Sequence, residues 1–526
     1  MPNPLLPPLA TAAWVTAALP ERRRALAALA DPRRAQSQLG DEILRLHAES
    51  EYLRAHGVRP GEGWERARDS LPPRRYDELA PWIDRIAAGE QGVLTGRSAA
   101  ARIDRFEPSS GSTAAKKLIP SNPAGRAALA RGVSAWIGSL YLRHPRLIGG
   151  RAYWSISPAI PTTRTAGGLP VGFQEDSAYL GGLSAWLVDQ AQAAPGAVSR
   201  LQDLAAWRQA TLHFLLAAGD LRLISVWSPS FLSLILDRLR LEWEPALRLL
   251  HDGAVVEGLR LPASPRRARA LGAVAPDAVE RIWPKLGLVS CWADGEAAPG
   301  ARALMARLPG VTMQPKGLLA TEGLVSWPLG AQHVAASRVC VIELLGADGR
   351  VSALHELSEG DEGAVVITTA AGLWRVRLGD RVVVTGRVGQ TPTLRFLGRE
   401  DKVVDLRGEK LSDAFVAGVL ARLCPDAAFR LLAPEGDDPP RYTLFIEGAY
   451  APSPGELDAA LAENPHYGWC RRLGQLGPAE VVRIGPGGPE AWVHEAQARG
   501  QRLGDIKPAA LSALKDWRAR LNLRQN

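Results

Sequence analysis

The stretch Glu107-Pro-Ser-Ser-Gly-Ser-Thr-Ala-Ala-Lys-Lys-Leu-Ile-Pro120 combines hydroxyl residues, a glycine and two lysines ahead of an apolar segment. Its small residues are Ser109, Ser110, Gly111, Ser112 and Thr113, and Lys117 leads into the apolar segment. Hydroxyl groups, backbone N–H groups and an ammonium group can together surround a phosphate. The P-loop pattern of common NTPases is absent from the sequence, however, and a Ser/Gly-rich tract is also typical of a flexible connector. Alone, the stretch is a weak indication of a phosphate site.

The lysines of this chain carry more information than usual. Of the 63 basic residues only eight are lysine and 55 are arginine. A lysine supplies a compact, mobile point charge that a planar guanidinium group does not imitate. A pair of lysines beside a hydroxyl-rich loop therefore favours the phosphate-binding interpretation over a solvated surface pair.

Length and composition indicate a globular protein with several domain-sized units. The chain has 526 residues, of which 46% are apolar and 22% charged. The net charge of +8 would suit a nucleic-acid partner, but the arginines are scattered and form no basic tail or run. No uncharged apolar run reaches the length of a membrane span. We therefore expect neither nucleic-acid binding nor membrane insertion.

The cysteines and the N-terminus favour a cytoplasmic protein. Cys291, Cys340, Cys424 and Cys470 are far apart and form no metal-binding or disulfide pattern. Near the N-terminus, arginines follow the apolar segment instead of preceding it, which is the wrong order for a signal peptide.

The pattern of apolar residues predicts an α/β fold in several regions. Residues 1–90 have helical spacing, and a helix is expected from Ala124 to Leu142 after the hydroxyl-rich stretch. Residues 150–235 alternate buried strands with helices. Residues 335–400 show short strands separated by Gly and Asp turns, as in an antiparallel sheet or small barrel. A separate small α+β domain is predicted after about residue 400.

Three later segments add polar residues of possible function, each with an ordinary alternative. Thr321 and Glu322 lie between two apolar runs, where they would otherwise cap a helix. Asp380 follows a strand and a glycine, as a turn aspartate would, but its carboxylate can also accept the two ribose hydroxyl groups of a nucleotide. Arg399 and Asp401 belong to a charged segment that would otherwise be a plain linker.

The ordered set of these segments resembles the adenylate-forming superfamily. Within it, the chain is most similar to the acyl acid amido synthetases of the Gretchen Hagen family, including their bacterial branch. The resemblance rests on Ser110-Gly-Ser-Thr with Lys117-Leu-Ile-Pro, Thr321-Glu322, Leu373-Trp-Arg-Val-Arg-Leu-Gly-Asp380, Gly398-Arg-Glu-Asp and Gly408-Glu-Lys-Leu, with support from Asn464-Pro-His-Tyr-Gly-Trp and Gly504-Asp-Ile-Lys-Pro508.

The resemblance implies the adenylate-forming fold and a reaction in two steps. The fold would comprise a large α/β domain with a β-barrel-like region at residues 1–398, a hinge at 399–401 and a mobile α+β domain at 402–526. With Mg²⁺ as cofactor, a carboxylic acid would react with ATP to give an acyl-adenylate and pyrophosphate. An amine, usually an amino acid, would then displace AMP and form an amide. These small molecules are the expected partners, and the chain is expected to act as a monomer.

The resemblance also implies a role for individual residues. Ser109 to Thr113 and Lys117 would bind the β and γ phosphates, and Thr321 and Glu322 would lie beside the α phosphate, with Glu322 contacting Mg²⁺. The remaining roles fall to residues nearer the C-terminus: Asp380 at the ribose, Arg399 at the ribose or phosphate, Asp401 as the hinge, and Lys507 bridging the acid and the α phosphate.

Several features of the chain leave alternatives open. Ala114-Ala115 stands where the bacterial loop usually has a further glycine, so phosphate binding can differ. An acyl-CoA ligase, a carrier-protein acylating enzyme and a catalytically silent nucleotide-binding protein are the rival interpretations. The aromatic candidates for the acyl pocket are Trp154, Phe173, Tyr179 and Trp227, each of which would otherwise be a core residue. His333, His466 and His494 are possible bases for the amine, and none is assigned.

Overall fold

The computed structural model describes residues 6–109, 117–154, 163–172, 182–201, 203–295, 297–400, 403–407, 409–499, 501, 503, 506–507 and 509–521. Five helices open the chain, as the apolar spacing predicts. Asp31 begins the second of them by accepting a hydrogen bond from the Arg34 backbone N–H, and Pro32 supplies the fixed φ of a first helical turn. The helices are α1 Leu6–Ala28, α2 Pro32–Leu46, α3 Glu51–Ala55, α4 Trp64–Ser70 and α5 Tyr76–Ala87.

The next part of the chain contains two four-stranded sheets with helices around them. One sheet has the order β2-β1-β5-β4; the other is parallel, with the order β10-β9-β6-β3. The elements are β1 Arg105–Ser109, β2 Lys117–Ser121, α6 Pro123–Arg143, β3 Arg151–Trp154, β4 Thr163–Arg164, β5 Pro170–Val171, α7 Gly182–Ala191, α8 Leu204–Ala217, β6 Leu221–Ser225, α9 Pro229–Leu241, α10 Trp243–Asp252, β7 Ala254–Val256, β8 Leu259–Leu261, α11 Pro265–Leu271, α12 Val279–Ile282, β9 Leu288–Cys291, α13 Ala297–Ala306 and β10 Thr312–Pro315.

An antiparallel seven-stranded sheet follows, in the order β13-β14-β19-β18-β17-β15-β16. A short hairpin, β11–β12, precedes it. The strand β18 alternates buried and more exposed positions from Val376 to Val382, whereas β17 is buried after its first residue. Buried residues of both strands pack in one core with the helices α2 to α5. The strands are β11 Leu319–Ala320, β12 Gly323–Leu324, β13 Ser326–Leu329, β14 Gln332–Ala335, β15 Val341–Leu345, β16 Val351–Ala353, β17 Glu362–Thr368, β18 Val376–Val388 and β19 Thr391–Arg399.

The C-terminal part forms its own small cores. Leu411, Val416, Leu444 and Leu457 belong to one of them, and Trp517 is fully buried in another. Its central sheet has the order β22-β23-β24. The elements are β20 Val403–Val404, β21 Leu411–Ser412, α14 Asp413–Leu423, β22 Phe429–Glu435, β23 Arg441–Glu447, α15 Pro454–Leu461, α16 Pro465–Arg472, β24 Glu480–Arg483, α17 Gly488–Ala498 and α18 Trp517–Arg520; 3-10 helices elsewhere in the chain are Pro145–Gly149, Gly196–Arg200 and Leu354–Glu356.

The structure refines two expectations from the sequence. Asp380 lies inside the long strand β18, where the sequence suggested a position after a strand. Thr321 and Glu322 form the two-residue turn of the β11–β12 hairpin, where Ala320 pairs with Gly323, so they cap no helix. Within the described ranges, no helix has the length and the apolar character that crossing a membrane requires. The predicted division at residues 399–401 stays a prediction.

Candidate active site

Two cavities are lined by residues in or next to the β11–β12 hairpin. Leu318 and Leu319 line the larger one, which we call the large cleft; it contains about 710 Å³ of empty space, including its open mouth. The turn residues Thr321 and Glu322 line the other, the second pocket, which contains about 550 Å³. A single short hairpin thus contributes side chains to both cavities.

Glu322 lies among the charged residues that the sequence singled out. Burial raises the pKa of the Glu322 carboxyl group, and the negative charge of Asp380 raises it further. The positive charges of Arg399 and Lys117 act in the opposite direction. Residues that are far apart in sequence are therefore close enough here to influence one carboxylate.

Asp380 and Arg399 lie opposite each other on β18 and β19. The Asp380 side chain is 3% exposed, and Nη1 of Arg399 lies 3.2 Å from its Oδ1 atom. Arg399 also donates a hydrogen bond through Nη2 to the carbonyl oxygen of Leu378 at 3.1 Å. Oδ1 of Asp380 is buried and accepts no hydrogen bond from any residue that the structure describes. A buried acceptor of this kind fits the hydroxyl groups of a ribose.

Tyr76 fixes the backbone at the end of the hydroxyl-rich stretch. Its hydroxyl group accepts a hydrogen bond from the Leu118 N–H at 2.7 Å and donates one to the Leu118 carbonyl at 3.1 Å. The Lys117 ammonium lies 5.3 Å from the centre of the Tyr76 ring, within cation–π range. Burial is the main cause that raises the pKa of Tyr76 to about 12, so the phenol remains neutral. Sequence reasoning treated Tyr76 only as part of a helix.

Only part of the predicted phosphate loop can be placed. Ser109 ends β1 and pairs with Lys117 of β2. Ser110, Gly111, Ser112 and Thr113 lie outside the described residues, as do Phe173, Tyr179 and Asp401. The loop therefore joins two paired strands, and Glu107 of β1 and Pro120 of β2 line the second pocket.

Lys507 belongs to the C-terminal part and reaches the large cleft. Its ammonium group lies 4.5 Å from the centre of the Trp292 ring. Its carbonyl oxygen accepts a hydrogen bond from Nε1 of Trp492 at 3.0 Å. Arg399 and Lys507, two cationic residues predicted from the sequence, thus line the same cleft.

Two of the predicted aromatic residues surround a buried lysine. Trp154 and Trp227, together with Trp136, have their ring centres 5.7, 4.5 and 4.4 Å from the Lys316 ammonium. Each such contact stabilises a cation by roughly 0.5–2 kcal/mol. Lys316 is a functional candidate that sequence reasoning missed; the rarity of lysine in this chain was the available signal.

The histidines are arranged differently from one another. His333 lines the large cleft, with Nε2 3.2 Å from the Pro315 carbonyl and Nδ1 3.4 Å from Oδ2 of Asp294. His466 and His494 are exposed on the helices α16 and α17. None of the three is assigned as a base.

No group of three or more His, Cys, Asp and Glu side chains able to hold a metal ion occurs among the described residues. Glu322 is a carboxylate beside the proposed phosphate region, and Glu107 lines the same pocket. Mg²⁺ in nucleotide sites is commonly held by one or two carboxylates together with phosphate oxygens. The donor set fits that mode of binding, in which most ligands come from the substrate.

The fold is similar to that of a 2-hydroxyisobutyryl-CoA ligase in the postadenylation state, with a TM-score of 0.50 at 12% identity over 93% of this chain and 90% of the other. Three family models match the chain in order: the GH3 family N-terminal domain at residues 22–313, the central domain at 339–399 and the C-terminal domain at 417–515. The chain belongs to the GH3 family. This confirms the family that was predicted from the sequence.

Known proteins agree with this assignment. A putative indole-3-acetic acid-amido synthetase, GH3.10 of Oryza sativa, is 26% identical over 82% of this chain and 90% of its own length. A human GH3 domain-containing protein is 29% identical over 48% of this chain and 58% of its own length. The solved structure of AtGH3.15 acyl acid amido synthetase in complex with 2,4-DB superposes with a TM-score of 0.82 at 18% identity, over 95% of each chain. The predicted fold class is thereby confirmed.

Proposed function

We propose that this member of the GH3 family is an ATP-dependent acyl acid amido synthetase that joins a carboxylic acid to an amino acid. The observation that carries the proposal is the convergence of Glu322, Asp380 and Arg399 beside a cleft that Lys507 enters from the C-terminal part. The match of all three GH3 domain models supports it. ATP is the energy source, and pyrophosphate, AMP and an amide are the products.

In the first step the chain holds ATP and brings the acid to its α phosphate. The buried carboxylate of Asp380 accepts the ribose hydroxyl groups, with Arg399 beside it. Lys117 and the loop from Ser109 to Thr113 hold the β and γ phosphates through an ammonium group, hydroxyl groups and backbone N–H groups. The Thr321 side chain lies beside the α phosphate, where its hydroxyl group can form a hydrogen bond. This arrangement neutralises the charge that moves onto the leaving pyrophosphate.

Glu322 and Lys507 act closest to the reacting atoms. Glu322 is the carboxylate that would hold Mg²⁺. When bound, Mg²⁺ would neutralise phosphate charge and orient the leaving group. The Lys507 ammonium binds between the acid carboxylate and the α phosphate, so it reduces the repulsion between two anions. Lys507 belongs to the C-terminal part, and its contact with Trp292 in the large cleft supports this role.

In the second step the amine attacks the carbonyl carbon of the acyl-adenylate. The C–N bond forms as the C–O bond to AMP breaks, and the amine loses a proton. We assign residues 402–526 as the part that turns about Asp401 between the two steps, because one cleft then serves two reactions in succession. The cleft excludes water from the reactive anhydride.

The acid-binding region lies beside the large cleft, where Trp154 and Trp227 approach Lys316. Phe173 and Tyr179 are assigned to the same region from the sequence. Indole-3-acetic acid, named for the plant relative, is one acid to test. We assign the protein to the cytoplasm and to a monomeric state.

The deciding experiment measures pyrophosphate release from ATP and Mg²⁺ across a panel of carboxylic acids, with and without amino acids. We expect release that depends on the acid and becomes sustained turnover when an amino acid is added. Coenzyme A is tested as an alternative acceptor, since a thioester product would identify an acyl-CoA ligase. ATP binding without pyrophosphate release for any acid would contradict the proposal and favour a silent nucleotide-binding protein.

A further inference from the structure

Lys316 is a lysine held inside a tryptophan cage at the wall of the large cleft. Its side chain is 5% exposed, and its ammonium group donates a hydrogen bond to the hydroxyl oxygen of Ser225 at 2.7 Å. Trp136, Trp154 and Trp227 direct their ring faces towards the same nitrogen. We call these three rings with Lys316 the lysine cage.

The lysine cage is held in place by buried contacts. Nε1 of Trp136 donates to Oε1 of Gln314 at 3.0 Å, and the backbone N–H of Trp154 donates to Oε1 of Gln192 at 3.1 Å. The rings of Trp136 and Trp154 meet edge to face with centres 5.5 Å apart. The backbone N–H of Lys316 donates to the Cys291 carbonyl at 2.9 Å. The position of the ammonium group is therefore fixed before any substrate binds.

The cage is continuous with the part of the cleft where Lys507 lies. The Lys316 ammonium is 4.5 Å from the Trp227 ring, and the Trp227 and Trp292 rings are 5.7 Å apart. The Lys507 ammonium lies 4.5 Å from the centre of the Trp292 ring. Each of the two ammonium groups therefore contacts one ring of the same tilted tryptophan pair.

A cation at this position recognises charge and not only shape. An apolar acid would be bound well by tryptophan rings and a neutral side chain, whereas an ammonium group in the wall of the cleft adds attraction for a negatively charged group. An oxyanion forms a charge-assisted hydrogen bond with an ammonium group, and such bonds strengthen when water is excluded. The proposed reaction brings one carboxylate to Lys507 and leaves Lys316 beside the remainder of the bound substrates.

We propose that Lys316 is a specificity-determining residue that binds a second carboxylate, one that is not activated in the reaction. This inference rests on the proposed function and deepens it. The carboxylate has two possible sources. It is either the distal group of a dicarboxylic acid substrate or the α-carboxylate of the amino acid acceptor.

The first arm of the test isolates the acid, because no amine is present. Pyrophosphate release is measured for 4-carboxybenzoate, 4-carbamoylbenzoate and 4-methylbenzoate, and for dicarboxylates from succinate to suberate with their monoamides. If the acid is the source, the wild type prefers the dicarboxylate in kcat/KM by about 10- to 100-fold over its neutral partner. Lys316→Met, which keeps a similar volume without the charge, reduces that ratio to near one.

The second arm isolates the acceptor. Amide formation is compared for alanine and alaninamide with any acid that the enzyme adenylates. If the acceptor is the source, the wild type prefers alanine by a similar factor, and Lys316→Met loses the preference. Lys285→Met, an exposed lysine away from the cleft, serves as the matched control and keeps both ratios.

The outcomes separate this inference from the proposed function. The enzyme could adenylate acids without preferring dicarboxylates or alanine, or Lys316→Met could leave these preferences intact. Either result overturns the role of Lys316 while the proposed function stands. If no acid releases pyrophosphate, the proposed function fails, and calorimetric titration of the same dicarboxylates into the wild type and Lys316→Met decides the inference directly. If Lys316→Met does not fold, Ser225→Ala is used instead. Removing the Ser225 hydroxyl group should lower the preference several-fold, and an unchanged preference contradicts the inference.

Discussion

Asp380 and Arg399 form a cross-strand ion pair in which the carboxylate stays available as an acceptor. The two residues are opposed on β18 and β19, with Nη1 of Arg399 3.2 Å from Oδ1 of Asp380. That oxygen is buried and receives no hydrogen bond from the described part of the chain. The charge of Arg399 offsets part of the cost of burying the carboxylate. The open acceptor capacity is what a ribose would use.

Asp380→Asn should weaken ATP binding. The amide keeps the size of the side chain but loses the charge and one acceptor site, so hydrogen bonds to the ribose hydroxyl groups become weaker. We expect KM for ATP to rise by about 10- to 100-fold with a smaller change in KM for the acid. Asp252→Asn, on the exposed end of α10, is the control. An unchanged ATP affinity would remove Asp380 from the nucleotide site.

Lys507→Ala should block acid activation while leaving ATP bound. The substitution removes the ammonium group that stands over Trp292 in the cleft, and with it the charge that would bridge the acid and the α phosphate. We expect acid-dependent pyrophosphate release to fall by at least about 100-fold, as for other lost transition-state contacts. Equilibrium titration of ATP should give nearly the wild-type affinity.

The control for this variant is Lys515→Ala. Lys515 lies nearby in sequence but forms a solvent-exposed ion pair with Asp437 at 3.2 Å. It should keep wild-type turnover. Wild-type turnover of Lys507→Ala would instead show that the C-terminal part supplies a different group.

The sequence predicted local secondary structure and the succession of the motifs along the chain well. The helices of residues 1–90 and the helix after the hydroxyl-rich stretch follow from apolar spacing, which the structure reproduces in α1 to α6. Glu322, Asp380 and Arg399 were singled out because short segments carry them in a recognisable order, and their roles stay a prediction. Such information is local and needs no knowledge of how the sheets pack.

The sequence could not reveal contacts that join distant segments. The lysine cage requires Trp136 from α6, Trp154 from β3, Trp227 after β6 and Lys316 after β10. No spacing rule relates these positions, because parallel strands bring them together only in the folded sheet. Tyr76 was missed for the same reason: its partner Leu118 is 42 residues away.

Glu343→Gln should strongly destabilise the protein. Both carboxylate oxygens of Glu343 accept from Arg375, through Nε at 2.7 Å and Nη2 at 2.9 Å, and both residues are buried. The substitution leaves a buried guanidinium group without its countercharge, which costs about 3–5 kcal/mol of the free energy of unfolding. Denaturant titration followed by circular dichroism measures the change.

An exposed ion pair of the same sheet provides the comparison. Arg381 and Glu362 lie 3.1 Å apart with side chains 45% and 49% exposed. Glu362→Gln should change the free energy of unfolding by no more than about 1 kcal/mol. Equal effects of the two substitutions would contradict the importance that we give to burial.

His47 should make the stability of the fold depend on pH below neutrality. Its Nδ1 atom accepts from the Gly96 N–H at 3.0 Å, and Nε2 donates to the Ala370 carbonyl at 3.0 Å. Burial lowers the pKa of His47 from 6.5 to about 4, and its effect exceeds that of the hydrogen bond to Ala370, which acts in the opposite direction. Protonation would also remove the acceptor for Gly96. The ring is therefore neutral in the folded protein.

The sign of the effect follows from where the proton binds. Between about pH 6.5 and pH 4 the unfolded chain takes up a proton on His47 that the folded chain does not, so stability decreases as the pH falls through this window. The shift corresponds to a loss of about 3 kcal/mol at most. The free energy of unfolding should fall less steeply in His47→Gln, which has no proton to bind, whereas the exposed His494→Gln should follow the wild type. Asn122 also donates a hydrogen bond to the Ala370 carbonyl, at 2.9 Å, and Ala370 lines the second pocket, so His47 is linked to the wall of that pocket. Identical pH dependence of stability in the wild type and in His47→Gln would show that a group other than His47 causes the pH dependence.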